Sequence, residues 1–297
     1  MIQTMQPASR MAQWGWRTKN FDVICAGEAL WKVTHRGKPV SSKAPPVSPG
    51  GGPVTVALAL ASEGLHVGLA TVLADDALGR GSVKRIAAAG VDVGGVTFAR
   101  PRKGFVIIDA SGGASQVPSD VEAEPPLEVP VGWSSQVLLL SGLSPVISHA
   151  AALCKAARAA RRNGSFVLID FNASLHVWAG RDPRTIRMVL REVDAARCSL
   201  ADLAVLGMDV ATVRGVLRQG AVLVVSDGKG GAVATGPFGD VAFVPPQGTR
   251  LRTTGAGDAW TAAICLELTR CAEPGQSPNA RWFRALRRGH AATSATV

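Results

Sequence analysis

From residue 21 onward, short runs rich in Leu and β-branched residues alternate with longer, Ala-rich segments whose apolar positions recur at helical spacing. The runs fall at 22–26, 66–73, 136–140, 165–170 and 221–226. The segments at 54–63, 77–89, 147–162 and 185–193 carry the three- and four-residue apolar period of a helix lying on a core, and several stop near Gly64, Gly90 and Gly164. This alternation predicts an α/β chain with a doubly wound, mostly parallel sheet flanked by helices. Two stretches break the rhythm, 31–47 and 103–117, the second with Phe105-Val106-Ile107-Ile108 ahead of a Gly112-Gly113 turn signal. They read as a small β lid over a site at the C-terminal ends of the strands, ordinary surface hairpins being the alternative. Residues 1–20 are polar and basic and read as a loose extension ahead of a single domain at 21–297.

Composition narrows this little further. A chain of 297 residues with 47% hydrophobic content has enough apolar surface for one large core. No apolar run reaches the roughly 18 residues of a membrane span, and a cytoplasmic enzyme without membrane partners is expected. The formal charge of +10 is spread along the chain, with a modest cluster at Arg284, Arg287 and Arg288. That distribution suits a surface attracting anionic metabolites better than a nucleic-acid face. Cys25, Cys154, Cys198, Cys265 and Cys271 form no CxxC pair and sit among apolar neighbours, which favours buried thiols over disulfides or zinc ligands. His35, His66, His149, His176 and His290 lack metal-ligand spacing, so no protein-built metal site is expected.

The segment that carries chemistry is Arg252-Thr253-Thr254-Gly255-Ala256-Gly257-Asp258, which runs into the helical stretch Ala259-Trp260-Thr261-Ala262. Small residues at a helix start let backbone amides approach an anion, and the unsatisfied N–H groups and macrodipole favour negative charge there. A carboxylate directly after such a phosphate cradle would repel its ligand unless it had another task. Accepting the proton of an attacking hydroxyl is such a task. The alternative is that Asp258 merely charges the first helical turn. A Walker loop is absent, and no G-x-G-x-x-G follows the first strand.

In order along the chain, further segments resemble the ribokinase-like (PfkB) carbohydrate kinase family. Thr253 to Asp258 is similar to its C-terminal signature D-T-T-G-A-G-D, and Gly50-Gly51-Gly52-Pro53 running to Ser62-Glu63-Gly64 resembles its N-terminal one. Asp75-Asp76-Ala77-Leu78-Gly79, Gly90-Val91-Asp92 and Ser141-Gly142 resemble family segments. Ser226-Asp227-Gly228-Lys229-Gly230-Gly231 resembles its nucleotide turn. Gly27-Glu28-Ala29-Leu30 and Asp170-Phe171-Asn172, with Trp178 following, are closest in texture to the fructokinase and 2-keto-3-deoxygluconate kinase branch.

The resemblance implies an ATP-dependent kinase transferring the γ-phosphate to a hydroxyl of a sugar or sugar acid. Asp258 would be the general base, and the amides of Gly255, Ala256 and Gly257 the anion hole. It implies substrate contacts from Glu28, Lys32, Gly51, Gly52, Thr55 and Asn172, and an ATP site from Ser199, Ser226, Gly228, Gly231, Arg252 and Thr254. Mg²⁺ would arrive with the nucleotide rather than in a protein cage, and the family's lid allows a homodimer.

Several polar positions depart from the family pattern. Lys32 stands where an Asp usually grips sugar hydroxyls, Thr55 where an Asn does, and Ser174 where an Arg does. Ser199-Leu200-Ala201-Asp202 replaces N-x-x-E, and Arg252 replaces the first Asp of the C-terminal signature. A Lys in place of an Asp favours anionic ligands, hence an acidic or phosphorylated acceptor. Loss of that Asp implies activity independent of potassium. Among the tryptophans, Trp31 is the one expected to reach a ligand. Two other readings stand beside the sugar kinase: a nucleoside kinase of the same fold, and a catalytically weak metabolite-binding relative.

Overall fold

The computed structural model describes residues 19–34, 47–100, 105–108, 114–117, 125–173, 178, 182, 184–229, 231–246, 255–270 and 277–294. Arg252, Thr254, Ser174, His35 and Cys271 lie outside the described residues. In chain order the strands are β1 (Phe21–Gly27), β2 (Leu30–Thr34), β3 (Val47–Gly50), β4 (Val67–Ala74), β5 (Val91–Ala99), β6 (Phe105–Ile108), β7 (Ala114–Val117) and β8 (Ser135–Ser141). They continue with β9 (Phe166–Asp170), β10 (Ala195–Ser199), β11 (Val222–Ser226), β12 (Ala232–Gly236) and β13 (Gly239–Phe243). The helices are α1 (Gly52–Ser62), α2 (Ala77–Ala88), α3 (Ser144–Arg162), α4 (Arg184–Leu190), α5 (Leu200–Leu206), α6 (Val210–Val216), α7 (Ala256–Thr269) and α8 (Pro278–Thr293).

Among the described residues nine strands form the main sheet in the order β13-β12-β11-β10-β9-β8-β1-β4-β5, with β11 through β5 running parallel and a β12–β13 hairpin closing one edge. Side chains alternate across a strand, and here both faces are covered. Val23, Cys25 and Leu139 join α1, α2, α7 and α8 in one apolar layer; Ile24, Ala26, Leu138 and Leu140 join α3, α4, α5 and α6 in the other. Burial on both faces is what makes such strands read as continuous apolar runs. Cys25, Cys154, Cys198 and Cys265 are buried free thiols.

The two stretches that break the sequence rhythm supply a second, four-stranded sheet in the order β3-β2-β6-β7, parallel between β2 and β6 and antiparallel elsewhere. Three features correct the sequence reading. Trp31 is 2% exposed and packed in the core, so it is not offered to a ligand. The strand β5 is present although Gly94 and Gly95 lower its β-propensity, because it pairs along the edge of β4. The strand β10 is present although Arg197 interrupts its apolar run. No helix among the described residues is long and apolar enough to cross a membrane.

Candidate active site

The parallel strands end in register. Gly27 of β1 is level with Ser141 of β8, which is level with Asp170 of β9, and Asp170 is level with Arg197 of β10; Ser199 of β10 pairs Ser226 of β11. The C-terminal edge of the sheet thereby lines up five polar side chains, Ser141, Asp170, Arg197, Ser199 and Ser226, from four strands, which is where ligands bind in open parallel sheets. Two helices start against that edge.

The first is α1. Gly51 precedes it at φ 93°, a conformation open to glycine and strained for other residues, and a Cβ there would lie 2.3 Å from the Glu28 carbonyl oxygen. A Cβ on Gly52 would lie 2.1 Å from Ser141 Oγ and 2.9 Å from Asn172 Nδ2. Gly51 and Gly52 thus bring Glu28, Ser141 and Asn172 around the start of α1. Glu28 is buried, while Asn172, at φ 41°, is exposed. Ser141 Oγ is buried and makes no hydrogen bond among the described residues.

The second is α7. Gly255, at φ 77°, is its left-handed N-cap residue, and no side chain among the described residues caps the N–H groups of its first turn. Those groups are the orphan donors of a helix start. Asp258 stands in that turn, half-buried. Its carboxyl pKa is pushed up to about 7, first by burial and then by the negative charge of Asp170; Thr55, Arg197 and Lys32 oppose the rise. Thr55 also donates from its hydroxyl to Gly51 O at 3.0 Å, within the first turn of α1. Lys32, on β2 of the small sheet, is exposed and close enough for its charge to act on Asp258. Asp258, Thr55 and Lys32 therefore meet at one place.

Beneath this corner lies a network absent from the sequence reading. Arg197 is 4% exposed. Its guanidinium donates to Asp170 Oδ1 at 3.2 Å and to Ser226 Oγ at 2.9 Å, and Thr261 Oγ1 donates to Asp170 Oδ2 at 2.9 Å. Burial raises the Asp170 pKa against the pull of Arg197. Burial alone would lower that of Arg197, but Asp170 and Asp202 outweigh it and hold the guanidinium charged. Two signals in the sequence point to this network. An Arg interrupts the small-residue run Ala195-Ala196, and Thr261 stands three residues after Asp258, hence on the same helix face.

The expected nucleotide residues divide in two. Gly228 is exposed at φ 76° with open space where a Cβ would stand, and the Gly231 N–H donates to Asp227 Oδ1 at 3.0 Å, so the turn after β11 is braced by Asp227. Ser226, buried, and Ser199, half-buried, are engaged by other side chains. Ser226 accepts from Arg197, and Ser199 forms a capping box at the start of α5 with Asp202. Asp202 Oδ1 also accepts from the Ala173 N–H at 2.7 Å, and its Oδ2 accepts from the Ser199 N–H at 2.6 Å and the Ser199 hydroxyl at 2.7 Å. This carboxylate fastens the segment after β9 to α5.

A doubly wound sheet carrying a second sheet, with a glycine-led helix start beside a carboxylate at the strand C-termini, is the architecture of ribokinase-like kinases, and the solved structures this one resembles are of that kind. Aminoimidazole riboside kinase from Salmonella enterica, complexed with aminoimidazole riboside and an ATP analog, superimposes with a TM-score of 0.70 at 21% identity over 93% of this chain and 94% of that one. Fructokinase from Vibrio cholerae, in fructose-, ADP- and calcium-bound form, gives 0.69 at 21% over 90% of each. In sequence, the chain is 28% identical to a fructokinase of Klebsiella pneumoniae over 234 residues, 73% of this chain and 75% of the relative. The chain belongs to the pfkB family of carbohydrate kinases, whose profile matches residues 19–297. It is a phosphotransferase with a hydroxyl acceptor, of sugar or nucleoside type.

Proposed function

We propose that the chain transfers the γ-phosphate of ATP to a hydroxyl of a sugar acid, or of a sugar bearing another anionic group, with Asp258 as general base. The observation that carries this reading is the position of Asp258 in the uncapped first turn of α7, with its carboxyl pKa pushed up to about 7. A base is most effective when its pKa is near the working pH. A carboxyl held near neutrality takes the acceptor proton as attack proceeds, where an ordinary aspartate would be too weak.

The residues at this corner fit a phosphoryl chain. The amides of Gly255, Ala256 and Gly257 are uncapped donors, and a buried guanidinium backs them. They would hold the transferring group and stabilise its developing charge. The open turn at Gly228 and Gly231 would hold the nucleotide, with Ser226 acting through Arg197 rather than by contact. When bound with the nucleotide, Mg²⁺ supplies further neutralisation of phosphate charge. Gly51, Gly52, Asn172, Glu28 and Thr55 would form the acceptor side. The small sheet carrying Lys32 would act as a lid, and the exposed ammonium of Lys32 favours an anionic acceptor over a neutral one.

The test is ATP turnover by the full chain on a panel of neutral hexoses, sugar acids and nucleosides, beside Asp258→Asn. A sugar acid supporting turnover that falls by about 10²–10⁴-fold in the variant is the expected result. Preference for a neutral hexose overturns the acceptor class, and preference for a nucleoside moves the chain to the nucleoside branch. If no acceptor is phosphorylated by folded, ATP-binding protein, the kinase reading falls in favour of metabolite binding.

A further inference from the structure

We propose that Arg197 is a positioning residue for phosphoryl transfer: its buried guanidinium, pressed against Gly257, holds positive charge behind the anion cradle and keeps the first turn of α7 aligned. The inference rests on the kinase reading above.

A Cβ on Gly257 would lie 2.9 Å from Arg197 Nη1, so the guanidinium is in contact with the last residue of the cradle. Its placement is poor for stability alone. Withdrawing two charges from water costs several kcal/mol per ion before their attraction is counted, and a well-packed apolar pair is often as stable or more so. A cation beside a helix N-terminus also opposes the macrodipole, a further cost of about 0.3–1 kcal/mol. Arg197 Nε makes no hydrogen bond among the described residues, so the site is not one of full hydrogen-bond satisfaction. These costs suit a site that receives negative charge on the other side of the helix turn. A fixed cation in a low-dielectric position acts strongly on an anion held by the amides of 255–257 and needs no reorganisation as charge develops.

The network also grips the helix. Asp170 accepts from Thr261 three residues after Asp258, and Arg197 bears on Gly257 one residue before it. The base is therefore clamped between two members of one ion pair. The charged groups acting on Asp258 come from β2 (Lys32), β9 (Asp170) and β10 (Arg197), and Thr55 of α1 adds a hydrogen bond. Asp170 raises its pKa and Arg197 lowers it, so the two partners have effects of opposite sign.

The experiment titrates the full-length protein, labelled with ¹³C at aspartate Cγ, by NMR, with the Asp258 resonance assigned by its loss in Asp258→Asn. Arg197→Met should move the Asp258 midpoint upward by about half a pH unit or more, and Asp170→Asn should move it downward by a similar amount; Arg197→Lys should leave it nearly in place. On whichever acceptor the natural chain turns over, Arg197→Met should lower kcat by about 10-fold or more, with the KM for ATP changed by less than about 3-fold, and Arg197→Lys should restore most of it. A folded Arg197→Met protein with midpoint and kcat both unchanged overturns the proposal, as does an Arg197→Lys protein as impaired as Arg197→Met. Should Arg197→Met fail to fold because Asp170 is left buried and unpaired, Arg197→Lys and Asp170→Asn carry the test, and an unmoved midpoint in Asp170→Asn overturns it. If the natural chain phosphorylates no acceptor, the kinase reading is what falls, and the titration still decides the charge balance between Arg197 and Asp258.

Discussion

Replacing Asp258 by Asn removes a titrating carboxyl and keeps the shape of the side chain, so its effects on stability and on chemistry should have opposite signs. In the unfolded chain an aspartate titrates near 3.9, whereas in the folded protein Asp258 is pushed up to about 7. Between these values the folded protein retains a proton that the unfolded chain has released. Stability from this group is therefore lost as pH rises from about 4 to about 7 and stays reduced above that. At roughly 1.4 kcal/mol per pH unit the full separation corresponds to about 4 kcal/mol. Asp258 is half-buried, and solvent screening reduces this to about 2 kcal/mol. The Asn variant should be more stable than the natural chain by about that amount at pH 8, and the gap should close toward pH 4. Urea unfolding followed by tryptophan fluorescence reads this directly. With an m-value of about 3 kcal/mol/M, the midpoint should differ by somewhat more than half a molar at pH 8 and little at pH 4.5. A variant no more stable than the natural chain at pH 8, or a gap that does not change with pH, would refute the reasoning about the burial of Asp258.

Other positions give sharper readings of single contacts. Lys32→Ala should raise the KM of an anionic acceptor by about 10-fold while leaving that of a neutral acceptor within about 2-fold, measured on the acceptor panel. Gly257→Ala should lower kcat by up to about 10²-fold, because its methyl meets a guanidinium pinned by Asp170 and Ser226, and the first turn of α7 must shift. Asp202→Ala removes the capping box of α5 and the acceptor of the Ala173 N–H, and thermal unfolding should show a loss of about 2–3 kcal/mol. Because Arg252 stands in place of the Asp that begins the family signature, turnover rates should be equal in sodium and potassium.

Much of this protein was legible in the linear pattern. Apolar runs at 22–26, 66–73, 136–140, 165–170 and 221–226 correspond to β1, β4, β8, β9 and β11, because strands covered on both faces are apolar over most of their length, with polar residues mainly at their ends. The helix start at Gly255-Ala256-Gly257-Asp258 was legible too, since its N-terminal glycine and the carboxylate that follows are local in sequence. What tertiary structure decided is what depends on neighbours distant along the chain. The strand β10 forms around Arg197 because β9 and β11 satisfy its backbone and Asp170 and Ser226 accept from the two terminal nitrogens of its guanidinium. Trp31, placed by sequence beside the ligand, is drawn into the core by the packing of the second sheet. The Asp170–Arg197 pair joins strands 27 residues apart, and its link to Thr261 spans 91. No local periodicity encodes such a pairing. A buried charge is tolerable where its partner stands, and only the fold determines which residues stand together.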